Sequence, residues 1–234
     1  MILAVSGGKG GVGKSTVSLN LARELDAVVV DADLATPDLP SGRGPDLHDV
    51  LAGRATPTDA VERIGSVLVL PCGRTLAGAR ASDLATLRRT VETLDRQYGR
   101  VVVDCPAGLA RDVGVQLHSA DVAVLVTMPE RAALLDAYRT RHLAHEVGTP
   151  IASVVLNRGT RPQHEALAER VEETFGTPTT ILERRAAVAA ANARGKPVRD
   201  VEPDSPAVDV LSTLARSVER CDRRRLERAD PTPE

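Results

Sequence analysis

Gly8-Lys9-Gly10-Gly11-Val12-Gly13-Lys14-Ser15-Thr16 follows the apolar run Ile2-Leu3-Ala4-Val5 and leads into a segment where Val17, Leu21 and Leu25 recur every four residues. A buried strand, a glycine-rich turn and an amphipathic helix, in that order, are the setting in which Gly-x4-Gly-Lys-Ser forms a phosphate-binding loop. The glycines allow successive backbone N–H groups to curl around phosphate oxygens. The positive end of the helix adds to that field. Lys14 is expected to bridge the β- and γ-phosphates of ATP, the Ser15 hydroxyl to ligate magnesium, and Thr16 to reach the α-phosphate. A glycine-rich turn holding no ligand is the plainer alternative, and the flanking strand and helix weigh against it.

Outward from this loop, near-continuous Val/Leu/Ile runs recur at 27–30, 67–70, 101–103, 122–126, 151–156 and 179–182. Runs without polar alternation mark strands buried on both faces, hence a parallel sheet. Helical stretches lie between them at 15–25, about 82–98, 130–147, 161–175 and 205–228. The alternation predicts an α/β, doubly wound, mostly parallel sheet flanked by helices, the P-loop NTPase fold. Residues 1–228 are expected to form a single ATPase domain, and 229–234, with two prolines, a disordered tail. The segment 36–57 holds four prolines and three glycines around one helical turn near Asp46 to Ala52. Long loops of this kind are often functional.

Composition narrows the class. The chain has 234 residues, 42% apolar and 26% charged, with two Tyr, one Phe and no Trp. A core of small aliphatics suits a sheet covered by helices. Net charge is −2, so overall charge points to neither nucleic acid nor membrane. Only three of the 30 basic residues are lysines: Lys9, Lys14 and Lys196. Two of those stand in one loop, which reads as a chemical requirement rather than chance, because Lys and Arg differ in shape and hydration. Cys72, Cys105 and Cys221 form neither a disulfide framework nor a CxxC metal pair. No signal-like or membrane-spanning run is evident, and a cytoplasmic setting is expected.

Lys9-Gly10-Gly11-Val12-Gly13-Lys14-Ser15-Thr16 resembles the deviant Walker A motif of the MinD/ParA family, in its MinD-like branch. The resemblance implies an ATP-dependent homodimer in which Lys9 reaches in trans to the partner's phosphates. It continues along nearly the whole chain. Asp31-Ala32-Asp33 stands where the family has switch I, with Asp31 near the metal and Asp33 orienting the attacking water. Val101-Val102-Val103-Asp104-Cys105-Pro106-Ala107-Gly108 resembles Walker B and switch II. Asp104 would sit beside magnesium, and Pro106, Ala107 and Gly108 near the γ-phosphate and the dimer face. Asn157-Arg158 matches the family's adenine-recognising asparagine and its neighbour, since an amide both donates and accepts. Leu182-Glu183 occupies the loop that closes over adenine, without the family's usual proline. Glu130 matches a residue near the dimer interface.

The same resemblance implies a partner protein that activates hydrolysis or is positioned as cargo, in division, motility or chromosome-linked work. Family branches differ in their accessories. The last helix ends in Asp222-Arg223-Arg224-Arg225-Leu226-Glu227-Arg228, where a single apolar residue cannot anchor a helix in a bilayer. Autonomous membrane binding is therefore not expected. Arg216, Arg220, Arg223, Arg224 and Arg228 could form a DNA-contacting strip. Interleaved Glu219, Asp222 and Glu227 favour a solvated face instead. A nucleotide-gated adaptor with little hydrolysis, and a DNA-binding partitioning ATPase, remain the alternatives to the switch.

Overall fold

The computed structural model describes residues 1–73, 75–108 and 111–229. Its strands are β1 (Ile2–Ser6), β2 (Val28–Asp31), β3 (Glu62–Ile64), β4 (Val67–Leu70), β5 (Val101–Asp104), β6 (Val122–Thr127), β7 (Ile151–Gly159) and β8 (Thr179–Glu183). The helices before β6 are α1 (Lys14–Leu25), α2 (Leu47–Leu51), α3 (Leu76–Ala81), α4 (Leu87–Tyr98) and α5 (Arg111–His118). After it come α6 (Arg131–Glu146), α7 (Glu165–Phe175), α8 (Ala186–Ala193), α9 (Val198–Val201) and α10 (Pro206–Ala229).

The strands form one eight-stranded sheet in the order β3-β4-β2-β5-β1-β6-β7-β8. All pairings are parallel except β3 with β4. Alternate residues of each strand feed opposite layers. Leu3 and Val5 pack with α1 and α10, through Leu21, Leu211 and Leu214. Ile2 and Ala4 pack with α2, α4 and α5, through Leu47, Leu94 and Leu117. Phe175 closes a smaller cluster under α6 and α7 with Leu125 and Val154. Burial on both faces is why these strands read as unbroken Val/Leu runs. β1 lies between β5 and β6, and the chain turns to opposite sides of it, so the crevice at its carboxyl end is where a doubly wound sheet binds ligands.

Several element boundaries differ from the sequence expectation. The helix expected from Ser82 begins as a 3-10 turn at Leu84–Thr86, because the Asp83 carboxylate accepts from the Ala85 N–H and tightens the start. The helix expected from Arg161 begins at Glu165. Pro162 lacks a donor, and the His164 ring nitrogen Nδ1 instead accepts from the Thr160 N–H at 2.9 Å. The turn near Asp46 is α2, closed by a capping box between Asp46 and Asp49. Edge strand β3, helix α5 and the short helices α3, α8 and α9 were not anticipated. Ala229, placed in the tail by its sequence, is the last residue of α10, and 230–234 lie outside the described residues. Among the described residues no helix is long and apolar enough to cross a membrane.

Candidate functional site

The loop between β1 and α1 is shaped by two glycines with positive φ, Gly11 at 74° and Gly13 at 100°. A side chain at Gly13 would be strained by that φ, and its Cβ would lie 2.2 Å from the Asn157 amide nitrogen. The first-turn N–H groups of Lys14, Ser15 and Thr16 find no backbone acceptor among the described residues. Such orphaned donors at a helix start form a ready anion cradle. Lys14, 8% exposed, is sunk at its base.

Behind the loop, neighbouring strands bring Asp31 and Asp104 into register at their carboxyl ends. Both are 1% exposed. Burial, then the Asp104 charge, raises the Asp31 pKa to about 7. Burial raises Asp104 to about 6, against the hydroxyls of Ser15 and Ser18 and the charge of Lys14, which favour its ionised form. The Ser18 Oγ donates to Asp104 at 2.8 Å. Two buried carboxylates beside a serine hydroxyl form a hard oxygen donor set that suits magnesium. A divalent cation there would favour the ionised form of both carboxylates, against the burial that now raises both pKa values.

Two cavities adjoin the loop. One, of about 280 Å³, is lined by Gly13 to Thr16 and by Asp38, Leu39 and Pro40 from the proline-rich segment. The other, of about 390 Å³, is lined by Asn157, Glu183 to Arg185 and α8. They share Thr16, Arg158 and Asn192. One groove thus runs from the phosphate cradle to the end of β8, with Asn157, Arg158 and Glu183 at its far end. Leu182 departs from its expected place. Its side chain is 2% exposed in the core beneath α1 and α10, because strand alternation turns it into the sheet layer. Val12 is likewise a core anchor, 1% exposed, and only its backbone faces the site.

Asn157 is engaged within the protein at both ends of its amide. Its Nδ2 donates to the Val12 carbonyl at 2.7 Å, and its Oδ1 accepts from the Arg158 N–H at 2.9 Å. It braces the phosphate loop as well as bordering the groove. The register of β7 with β8 shifts here, and Arg158 takes φ of 58°. Asp33 is turned onto its own loop, accepting from the Ala35 and Thr36 N–H groups and from the Thr36 hydroxyl.

Lys9, Gly10, Ala107 and Glu130 meet on one outer face. The Lys9 Nζ donates to Glu130 at 3.0 Å, with side chains 40% and 56% exposed. A Cβ at Gly10 would lie 3.9 Å from that of Ala107, so the 106–108 turn abuts the phosphate loop. Gly108 has φ of 95°.

Three contributors escaped the sequence reading. Asn192 donates to the Thr16 hydroxyl at 2.9 Å. It is the lone polar residue inside the alanine-rich run 186–193, a position at which Asn is a poor helix former, and that was an available signal. Ser18 lies one turn beyond Ser15 on the same helix face, which the spacing could have shown. Gln116, buried, donates to the Ala32 carbonyl at 2.9 Å and holds the backbone between Asp31 and Asp33. Nothing local marks that contact.

The family model described as the CobQ/CobB/MinD/ParA nucleotide binding domain matches residues 3–198. An uncharacterized ATP-binding protein of Methanocaldococcus jannaschii is 31% identical over 225 residues, covering 91% of this chain and 85% of that protein. The cell division ATPase MinD of Pyrococcus furiosus superposes with a TM-score of 0.85 at 30% identity, over 94% of this chain and 98% of that one. The septum site-determining protein MinD of Pyrococcus horikoshii, solved with Mg-ADP, gives 0.86 at 27% identity, over 96% and 98%.

Proposed function

The chain belongs to the CobQ/CobB/MinD/ParA nucleotide-binding family, and on that premise we propose that it is an ATP- and magnesium-dependent dimerisation switch, reset when a partner protein stimulates hydrolysis. Lys14 and the free N–H groups of the first turn of α1 hold the triphosphate. Ser15, Asp31 and Asp104 would hold magnesium, which when bound neutralises phosphate charge. The groove past Thr16 and Asn192 takes the nucleoside, with Asn157, Arg158 and Glu183 around the base.

One observation carries the dimer reading. Lys14 is buried at its own cradle, whereas Lys9, in the same loop, lies half-exposed on an outer face with Ala107 and Glu130. A cation so placed can serve the phosphates of a second copy, as an arginine finger does in trans. Asp33 then leaves its contacts with Ala35 and Thr36 to orient the attacking water. Hydrolysis without the partner is slow, because that rearrangement is uncompensated in the single chain. The output is spatial positioning of a cellular machine, the class of work that the cell-division names of the MinD relatives suggest.

Sedimentation velocity with and without Mg-ATP, run beside a phosphate-release assay, tests the reading. Wild type should dimerise on ATP. Asp33→Ala should dimerise and not turn over. Lys9→Ala should bind nucleotide and remain monomeric. An ATP-bound wild type that stays monomeric at tens of micromolar would overturn the switch, as would Lys9→Ala dimers of wild-type affinity. Equal inactivity of wild type and Asp33→Ala in the presence of the partner would favour a nucleotide-gated adaptor.

A further inference from the structure

A cavity of about 670 Å³, larger than either half of the nucleotide groove, lies at the opposite end of the sheet. Its floor is the amino ends of β7 and β8, with Ile151, Ala152 and Pro178, and its wall is the last turns of α10. From Ile151 the strand β7 runs six residues to Asn157, so roughly 20 Å of sheet separates this cavity from the nucleotide groove.

The wall is cationic. Arg220, Arg224 and Arg228 line the cavity at four-residue intervals, about 6 Å of helix rise between each. His145, at the end of α6, faces the same space. No Asp or Glu stands among the lining residues. Arg225 also borders the cavity, but its charge is answered by Asp121 at 3.0 Å and Asp222 at 2.9 Å. Among the described residues the other three have no carboxylate partner, and Arg220 donates only to the Ser217 hydroxyl at 2.8 Å.

A solvated helix face is written differently. On α4, Arg88 is answered one turn later by Glu92 at 2.9 Å, the spacing that relieves repulsion. On α10 the like charges at i, i+4 and i+8 repel one another, in a chain whose acidic residues outnumber its basic ones by 32 to 30. The carbonyl ends of α6 and α7 adjoin the cavity at Gly148 and Gly176 and favour nearby cations. That effect fades within a turn, whereas the three arginines span about 12 Å.

We propose that this cavity is a second anion site, taking a small ligand that carries two or more phosphate groups. Guanidinium forks grip phosphate oxygens in pairs. The volume suits a small molecule, and the apolar floor accommodates its uncharged part. The arginine strip that the sequence allowed but did not favour is divided by the fold, which argues against duplex DNA. Arg223 lines a separate cavity with Glu219 and Asp222, so a duplex laid along α10 would meet those carboxylates.

The test titrates tripolyphosphate into protein whose phosphate loop is saturated with ADP, read by calorimetry after subtraction of a protein-free blank. One additional binding event per chain is expected. Arg224→Glu and Arg228→Glu should each weaken it by about tenfold or more, the loss of one charge-assisted contact. ADP affinity and melting temperature should be unchanged in both. Arg223→Glu, the same charge change facing the neighbouring cavity, should leave the event intact. Absence of the event in wild type would overturn the proposal, as would an equal loss in Arg223→Glu, which would mark a general charge effect. Duplex DNA binding lost in the same arginine variants, with tripolyphosphate silent, would overturn it in favour of a nucleic-acid surface.

Discussion

Asn157 sits 6% exposed between two functions, bracing the Val12 carbonyl and bordering the groove. Replacing it with Ala leaves that carbonyl unpaired beside a backbone held at positive φ. Asn157→Ala should therefore cost about 1–3 kcal/mol in urea unfolding. It should also weaken ADP binding by loosening the loop. An equally stable variant with an unchanged Kd would show that the amide is idle. At this scale the family resemblance marked the residue, but nothing marked its partner, which is 145 positions away. Lys14 and Ser15 were legible because they open a helix after a buried strand and a glycine-rich turn, whereas Asp31 and Asp104, which close β2 and β5, were marked by the family resemblance. The buried place of Leu182 was not, because a strand end does not reveal which of its last side chains turns inward.

Helix α1 is held from two sides. Its start frames the phosphate cradle, and its end enters a cluster in which Arg199 of α9 donates both Nε and Nη2 to Glu24 at 2.7 Å. Ser212 of α10 donates to the same carboxylate at 2.7 Å. Burial alone would raise the Glu24 pKa, but the bonds from Arg199 and Ser212 outweigh it and hold the carboxyl below its usual 4.5. A depressed folded pKa contributes stability that is fully present above the unfolded value and is lost as pH falls through the folded one. Glu24→Gln should accordingly melt lower than wild type at pH 7. The gap between them should shrink as pH is brought below about 4.5. A gap independent of pH would show that the cluster acts through packing alone. The helices of this group were partly hidden in the sequence. The alanine-rich α8 shows little periodicity, and α9 spans only four residues, too few for any pattern to register.

In the whole molecule the crossovers place the carboxyl ends of β1, β2, β5, β6 and β7 along one edge, and the loops at that edge carry the candidate site. Because residues from the loop after the first strand to the end of the eighth strand and α8 frame the groove, ligand binding should stabilise the fold as a unit. Mg-ATP at about a hundred times its Kd adds roughly 2.7 kcal/mol, which should raise the melting temperature by about 5–10 °C in a chain of this size. Differential scanning fluorimetry reads this directly, and Lys14→Ala should abolish the shift. A shift retained in Lys14→Ala would place the nucleotide elsewhere.

The sequence by itself determined the parallel sheet and the phosphate loop. Both are written locally: unbroken apolar runs report burial on two faces, and Gly11 and Gly13 provide the backbone angles the cradle needs. Only the tertiary structure decided that Lys9 meets Glu130, that Asn192 meets Thr16, and that Arg220, Arg224 and Arg228 line one wall of a cavity. Periodicity says which side of an element is buried, but what it faces is set by chain crossovers between residues far apart in sequence, 121 positions for Lys9 and Glu130 and 176 for Asn192 and Thr16, and no local pattern records those.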